Sequence, residues 1–351
     1  MSTSLNTTRD HSTQLETAIA SNPSHYRALT GDRPTGPLHI GHLFGTLLNR
    51  IRLQQLGVPM LIVIADYQTI TDRHSPQTAS QTVLELVADY LAVGIDPSAT
   101  PIFAHSQVPE IHQLLLPFLS LITVAELERN PTVKQETLQH SNTGMNALMF
   151  TYPAHQAADI LSCHANVIPV GKDQLPHIET ARTIARRFNR IYSPQHPYFT
   201  PPQPLLSNSP ALLGTDGQKM SKSQGNTIPL SATNDQIAQA VRTATTDSYR
   251  HVSYEPAARP EVSNLVTIAA LCQDLTVGQI VDELQGQGCA ALKQYLVGAL
   301  INRLEPIRAR RTELLSEPSN LRQILHQGAA DAQQHARATL RQVKQLMHNQ
   351  Y

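Results

Sequence analysis

Two histidines and two lysines carry the first chemical signal in this chain. His39 and His42 stand three apart in Gly36-Pro37-Leu38-His39-Ile40-Gly41-His42, and Lys219 and Lys222 stand three apart in Lys219-Met220-Ser221-Lys222-Ser223. Both pairs suit oxyanions, above all the phosphates of a polyphosphate. The first pair follows a Gly-containing turn, Gly31-Asp32-Arg33-Pro34-Thr35-Gly36, and opens a helical pattern. Free backbone N–H groups and the helix dipole at such a point make an anion site. Gly41 lets a flat ring approach the backbone without a Cβ in the way. The second pair lies in a Gly- and Ser-rich stretch that can close on phosphate late in a reaction. Each pair alone also reads as ordinary helix-start or solvated surface residues.

The elements around these pairs predict an α/β fold. Met60 to Ala65, Pro101 to Ala104 and Asn166 to Val170 read as buried strands, and Thr82 to Val93 and Gln174 to Phe188 as helices. Leu43, Phe44, Leu47, Leu48 and Ile51 give the helix after His42 one apolar face, with Gly57 as its stop. Strands alternating with helices indicate a parallel sheet. The tract from Pro194 to Pro210 holds six prolines and reads as a linker or a rigid surface loop. After Ile228 helical patterns dominate. Three regions are therefore expected: 1–24, a flexible extension or frayed lead-in helix; 25–227, a parallel-sheet α/β domain; and 228–351, an α-helical C-terminal domain.

Composition narrows the class. With 351 residues and 27 basic against 27 acidic side chains, the chain is neutral and is no histone-like coat for nucleic acid. No run approaches the ~18 apolar residues of a membrane helix. The first 24 residues lack the apolar core of a secretory signal. Cys163, Cys272 and Cys289 have no paired spacing, so neither a disulfide framework nor a structural metal is expected. A reducing cytoplasm is the expected compartment.

Taken together, His39-Ile40-Gly41-His42 and Lys219 to Ser223 resemble the two signatures of class I aminoacyl-tRNA synthetases. Over nearly its whole length the chain resembles the tryptophanyl enzymes, through Leu91 to Pro97, Glu126 to Arg129, Tyr152-Pro153, Ala157 to Leu161, Val167 to Gln174, His177 to Glu179, Arg187 to Asn189 and Thr246 to Ser248. Asn130 to Lys134, Gln156 and Gly31-Asp32-Arg33 are more similar to the auxiliary bacterial form than to the housekeeping one.

The resemblance implies a Rossmann-like parallel-sheet catalytic domain over 25–227, a helical tRNA anticodon-binding domain over 228–351, and roles for single residues. His39, His42, Lys219 and Lys222 would be the electrostatic catalytic set, with Lys134 assisting from an inserted dimer-interface segment. Arg33, Pro34, Thr35, Gly41, His42, Gly171, Lys172, Asp173, Leu212, Lys219, Met220, Ser221, Lys222 and Ser223 would bind ATP, with Mg²⁺ carried by the nucleotide; Ala211 and Leu212 would flank the adenine. Asp159 would accept the indole N–H, a donor with no acceptor capacity, and Tyr152, Gln156, Gln174 and Leu29 would complete the tryptophan pocket. Gln156 and Gln68 replace a methionine and a histidine of the common form. The tyrosyl enzymes are the nearest alternative, because Tyr152, Gln156 and Asp159 also resemble their pocket, but Leu29 stands where those enzymes carry a second phenol. A regulatory or partner-binding paralogue is the reading from another class. Implied partners are tRNA(Trp), L-tryptophan, ATP and a second copy of the chain. Between Ile301 and Tyr351, Arg303, Arg308, Arg310, Arg311, Arg337, Arg341 and Lys344 fall on helical patterns and suggest a basic face for RNA phosphates.

Overall fold

The computed structural model describes residues 2–72, 76–134, 145–206 and 211–350. Five parallel strands form one sheet in the order β3-β2-β1-β4-β5: β1 Ala28–Asp32, β2 Met60–Ile64, β3 Ile102–Ala104, β4 Val167–Val170 and β5 Gln203–Leu206. Chain order runs outward from β1 to β3 on one side and from β4 to β5 on the other. The switch point is therefore between β1 and β4, where such sheets open a crevice at the strand C-termini. The register between them begins at Ala28↔Val167. Pro169 has no N–H to extend this ladder.

Helices cover both faces, which explains why every residue of β2 is buried. Side chains alternate along the strands. Ile62 and Ile64 join one apolar cluster, while Leu61 and Val63 join the other. The first cluster unites Leu38 to Ala104 with Val262 to Leu325, so packing is continuous across position 228.

Of the two readings of 1–24, a flexible extension or a lead-in helix, the described residues form the helix, and it is docked rather than free. Ser2–Ser21 is a helix, α1, whose Leu15 and Ile19 are buried with Met60, Val167 and Leu205. The Ser12 hydroxyl accepts the Leu206 N–H at 3.1 Å, and Arg52 donates to Glu16 at 3.0 Å. The Ser/Thr-rich composition hid an inner face spaced Ser12, Leu15, Ile19. The proline tract likewise is neither a linker nor only a loop: it contains β5, whose edge position tolerates Pro204. Pro210 lies outside the described residues.

Ile40–His42, Leu43–Leu47 and Leu48–Gln55 run on as one helix, α2, with a π-type middle turn. Next come α3 Pro76–Val93, α4 Pro109–Leu119, α5 Val124–Arg129, α6 Ala147–Ser162 and α7 Leu175–Tyr192. The C-terminal part is helical throughout: α8 Asn234–Thr243, α9 Pro260–Gln273, α10 Val277–Glu283, α11 Cys289–Ser316 and α12 Pro318–Leu346. No single described helix is long and apolar enough to cross a membrane.

Helix α12 returns to cover the sheet at β3. A Cβ on Gly328 would lie 2.1 Å from the Ile102 carbonyl oxygen and 2.7 Å from its backbone nitrogen. Backbone cannot step aside as a flexible side chain can. Gly328→Ala is therefore expected to destabilise the protein by about 1–3 kcal/mol, the usual range for overpacking. Urea unfolding followed by circular dichroism checks this, and an unchanged midpoint would contradict such close docking.

Candidate active site

A cavity of ≈ 390 Å³ opens at the β1–β4 switch point. Leu29 to Arg33 line it from β1 and the following turn, and Ile168 to Gly171 line it from β4. Tyr152, Gln156 and Asp159 enter from α6, where their spacing sets them on one helical face, and Gln174 enters from the turn before α7. All five residues expected at the amino acid, namely Asp159, Tyr152, Gln156, Gln174 and Leu29, meet here, as does Gln68. Of the expected ATP residues, Arg33, Gly171 and Asp173 line the same cavity. Lys172 is exposed and lies outside the lining.

The two histidines cap α2 reciprocally. His39 Nδ1 accepts the Gly41 N–H at 3.2 Å, and His42 Nδ1 accepts the His39 N–H at 3.3 Å. With both Nδ1 lone pairs used, each neutral ring carries its proton on Nε2. Burial, then the neighbouring His42 and Lys222 charges, push His39 down to about 3. Burial and Lys222, opposed by Asp32, bring His42 to about 4. Both rings are thus neutral donors at pH 7. A Cβ on Gly41 would lie 2.9 Å from the His39 ring and 2.9 Å from the Met220 sulfur, so the histidine turn and the lysine loop touch at this point.

The loop is tied back to the turn. Lys222 Nζ donates to the Gly36 carbonyl at 2.8 Å. Ile40 N–H donates to Ile228 O and Leu230 N–H to Leu38 O, anchoring the chain just beyond the loop to the start of α2. Inside the loop, buried Asn226 accepts the Ser221 N–H at 2.8 Å and donates to Asp216 and to the Lys219 carbonyl. Lys222 is half-buried, and burial lowers its pKa. Lys219 remains exposed, as does Thr35, while Pro34 is buried; Leu212 packs against the core and Ser221 is half-buried. Ser223 falls in the short turn Lys222–Gln224, and its side chain lies outside the described ones.

Several site residues were not legible beforehand. Arg50 is 2% exposed and donates to Asp32 Oδ2 at 2.7 Å, while the Tyr90 hydroxyl donates to the same oxygen at 2.6 Å. Burial alone would raise the Asp32 pKa, but the Arg50 charge and hydrogen bond hold it well below the usual carboxylate range. Asp32 and Arg50 line the cavity, so a fixed ion pair forms part of its floor. The clue was a lone arginine on an apolar helical stripe. His177 accepts or donates at the Tyr152 hydroxyl, 3.2 Å away, and burial brings it to about 4. Other implied features are structural. Glu126 holds Arg187 through two contacts of 2.6 and 2.8 Å, and Asp247 holds Arg259 likewise at 2.7 and 2.8 Å. Part of the expected basic RNA face is also spent internally: Arg311 pairs with buried Asp89 and Arg308 donates to Ala232 O, whereas Arg337 reaches Glu110 but stays exposed. Arg310, Arg341 and Lys344 are exposed.

The neutral histidines have a stability consequence. His39, His42 and His177 titrate near 3, 4 and 4 when folded, against 6.5 as the ordinary value. Below about 6.5 the unfolded chain takes up protons that the folded chain refuses, so stability falls as pH falls through that value towards 4. Burial and Asp159 act oppositely on His105, whose raised pKa offsets part of this loss. Melting temperatures between pH 7 and pH 4.5 should therefore drop progressively; a flat profile would contradict neutral buried rings.

The family model described as tRNA synthetases class I (W and Y) matches residues 21–305. The chain belongs to this synthetase family. It is 40% identical over 337 residues to the tryptophan–tRNA ligase of Clostridium longisporum, covering 92% of this chain and 97% of that protein. To the tryptophan–tRNA ligase of Treponema pallidum it is 38% identical over 338 residues, covering 92% and 96%. Among solved structures, the tryptophanyl-tRNA synthetase of Campylobacter jejuni, complexed with ADP and tryptophan, superposes with a TM-score of 0.79 at 29% identity, covering 92% and 99%. The synthetase thus shares the catalytic fold expected from its two signatures.

Proposed function

We propose that this synthetase is a tryptophan–tRNA ligase. It activates L-tryptophan with ATP and then acylates tRNA(Trp). The observation that carries the choice of amino acid is the pocket wall. Leu29, 3% exposed, lines the cavity that Asp159 also lines, so an apolar surface and a buried carboxylate flank the same space. A flat indole with a single N–H donor matches that pair. The identity to tryptophan–tRNA ligases over almost the whole chain supports the same choice.

In the first step a tryptophan carboxylate oxygen attacks the α-phosphorus of ATP, and the bond to the bridging oxygen breaks to release pyrophosphate. In the second, a ribose hydroxyl at the tRNA 3′ end attacks the acyl carbon and AMP leaves. The protein supplies position and charge. Nε2–H of His39 and of His42 meet phosphate oxygens as neutral donors. Lys222 exchanges the Gly36 carbonyl for pyrophosphate, and exposed Lys219 follows as the loop closes. Gly171 and Asp173 take the ribose side, and Ala211 and Leu212 flank the adenine. Tyr152 and Gln174 hold the ammonium group. Mg²⁺ arrives with ATP. A cytoplasmic homodimer follows from the resemblance; the segment beginning near Lys134 continues into residues outside the described ones. The exposed C-terminal cations Arg310, Arg341 and Lys344 are assigned to RNA phosphates. Charging of a tRNA(Trp) transcript with labelled tryptophan tests the reading, and charging of a tRNA(Tyr) transcript with tyrosine instead would refute it.

A further inference from the structure

Three histidines crowd around Asp159 and have no part in the reaction above. His105 follows β3 and is fully buried, His155 lies one turn before Asp159 on α6 and is 2% exposed, and His112 lies on α4. Their hydrogen bonds set their tautomers. His112 Nε2 donates to the His105 carbonyl at 2.9 Å, which leaves His112 Nδ1 as an acceptor. His155 Nε2 then donates to that atom at 2.9 Å, so His155 Nδ1 keeps a bare lone pair. Burial holds both rings below their ordinary pKa.

Among the described residues His155 Nδ1 consequently has no hydrogen-bond partner, while His105 Nε2 and Asp159 Oδ1 meet only each other, as an ion pair that raises the His105 pKa. The last two are 2.8 Å apart, yet out of line for an N–H···O bond. One ligand atom from each of His105, His155 and Asp159 lies within 4.8 Å of the others. A buried lone pair without a donor beside a poorly aligned ion pair favours one species shared among the three atoms.

We propose that His105 Nε2, His155 Nδ1 and Asp159 Oδ1 bind a divalent transition-metal ion of the Zn²⁺ type. Two neutral imidazoles and a carboxylate are a zinc-like donor set with one negative charge, and they lack the oxygen ligands that Mg²⁺ or Ca²⁺ require. The spacing favours an ion over a water. At ordinary hydrogen-bond lengths a water would see two atoms 2.8 Å apart at an angle of about 60°, too narrow for its geometry. An ion with ~2.0–2.1 Å bonds sees them at roughly 85°. His112 supplies the outer support usual for a metal-bound imidazole, since it takes the remaining N–H of His155. The ion does not serve His105 Nδ1, which also lacks a partner among the described residues. No sequence motif announces this set, because β3 and α6 bring its members together from distant segments, and it departs from the expectation of no resident metal.

Binding would pin Asp159 by one oxygen and leave the other for the cavity. That consequence rests on the reading of Asp159 as the indole acceptor; the metal site itself does not. The full-length chain, purified without chelator or histidine tag from Zn²⁺-supplemented medium, is expected to hold close to one zinc per chain by mass spectrometry. Chelator-stripped wild type should take up one Co²⁺ with visible absorption from a low-symmetry N/O site, an assay that needs no variant. His105→Gln and His155→Gln, checked for fold by circular dichroism and for ATP binding, should lose at least tenfold in zinc content. Wild type that holds no zinc and binds neither ion at micromolar concentration would overturn the site and leave the three atoms to a water or a proton. Variants that fold and keep full zinc content would overturn the ligand assignment. Metal-loaded protein that fails to bind tryptophan would refute the indole-acceptor reading while leaving the metal site standing.

Discussion

Lys222→Ala should slow tryptophan-dependent ATP–pyrophosphate exchange by ~10²–10³ while leaving tryptophan affinity nearly unchanged. That magnitude is the usual loss for one contact that forms only as charge develops. Lys222 rests on the Gly36 carbonyl, 2.8 Å away, and therefore reaches the same turn that positions His39 and His42. Its partly buried ammonium already has a lowered pKa, and a polyphosphate would restore the charge that burial penalises. Pre-steady-state kinetics of adenylate formation separate the loss in rate from any loss in binding. A variant with a wild-type rate would remove Lys222 from the reaction.

Asp159→Ala should weaken tryptophan binding by at least roughly ten- to a hundredfold and leave ATP binding intact. The carboxylate is 4% exposed and lines the cavity beside Leu29. Its removal leaves the buried indole N–H without its acceptor, at a cost of ~1–3 kcal/mol. Calorimetric titration with tryptophan and, separately, with an ATP analogue measures both affinities. Unchanged tryptophan affinity would make Asp159 a structural residue of the histidine cluster alone.

Much of this site was legible because its chemistry is written in short contiguous segments. His39 and His42, the lysine loop, and Tyr152, Gln156 and Asp159 each follow one helical or loop spacing, and these segments converge at the β1–β4 switch point. Residues whose roles depend on distant partners were not legible. Arg50 takes its meaning from Asp32 and Tyr90, His105 from Asp159 and His155, and Asn226 from Asp216 and the Lys219 carbonyl. Composition also misled in two places. Polar residues concealed the buried face of α1, and prolines concealed β5, because an edge strand needs fewer N–H donors than a central one. The C-terminal arginines show the converse: charge on a helical pattern was visible, but the use of Arg311 in an internal pair with Asp89 depended on the tertiary fold.

ATP–pyrophosphate exchange by the purified chain, run with tryptophan and with tyrosine as the only amino acid, tests the central claim most directly. A pocket with an apolar Leu29 wall and one buried acceptor predicts rapid exchange with tryptophan and a rate lower by roughly ten- to a hundredfold with tyrosine, whose hydroxyl oxygen finds no donor on that wall. Exchange driven by tyrosine, or no exchange with either amino acid, would contradict it.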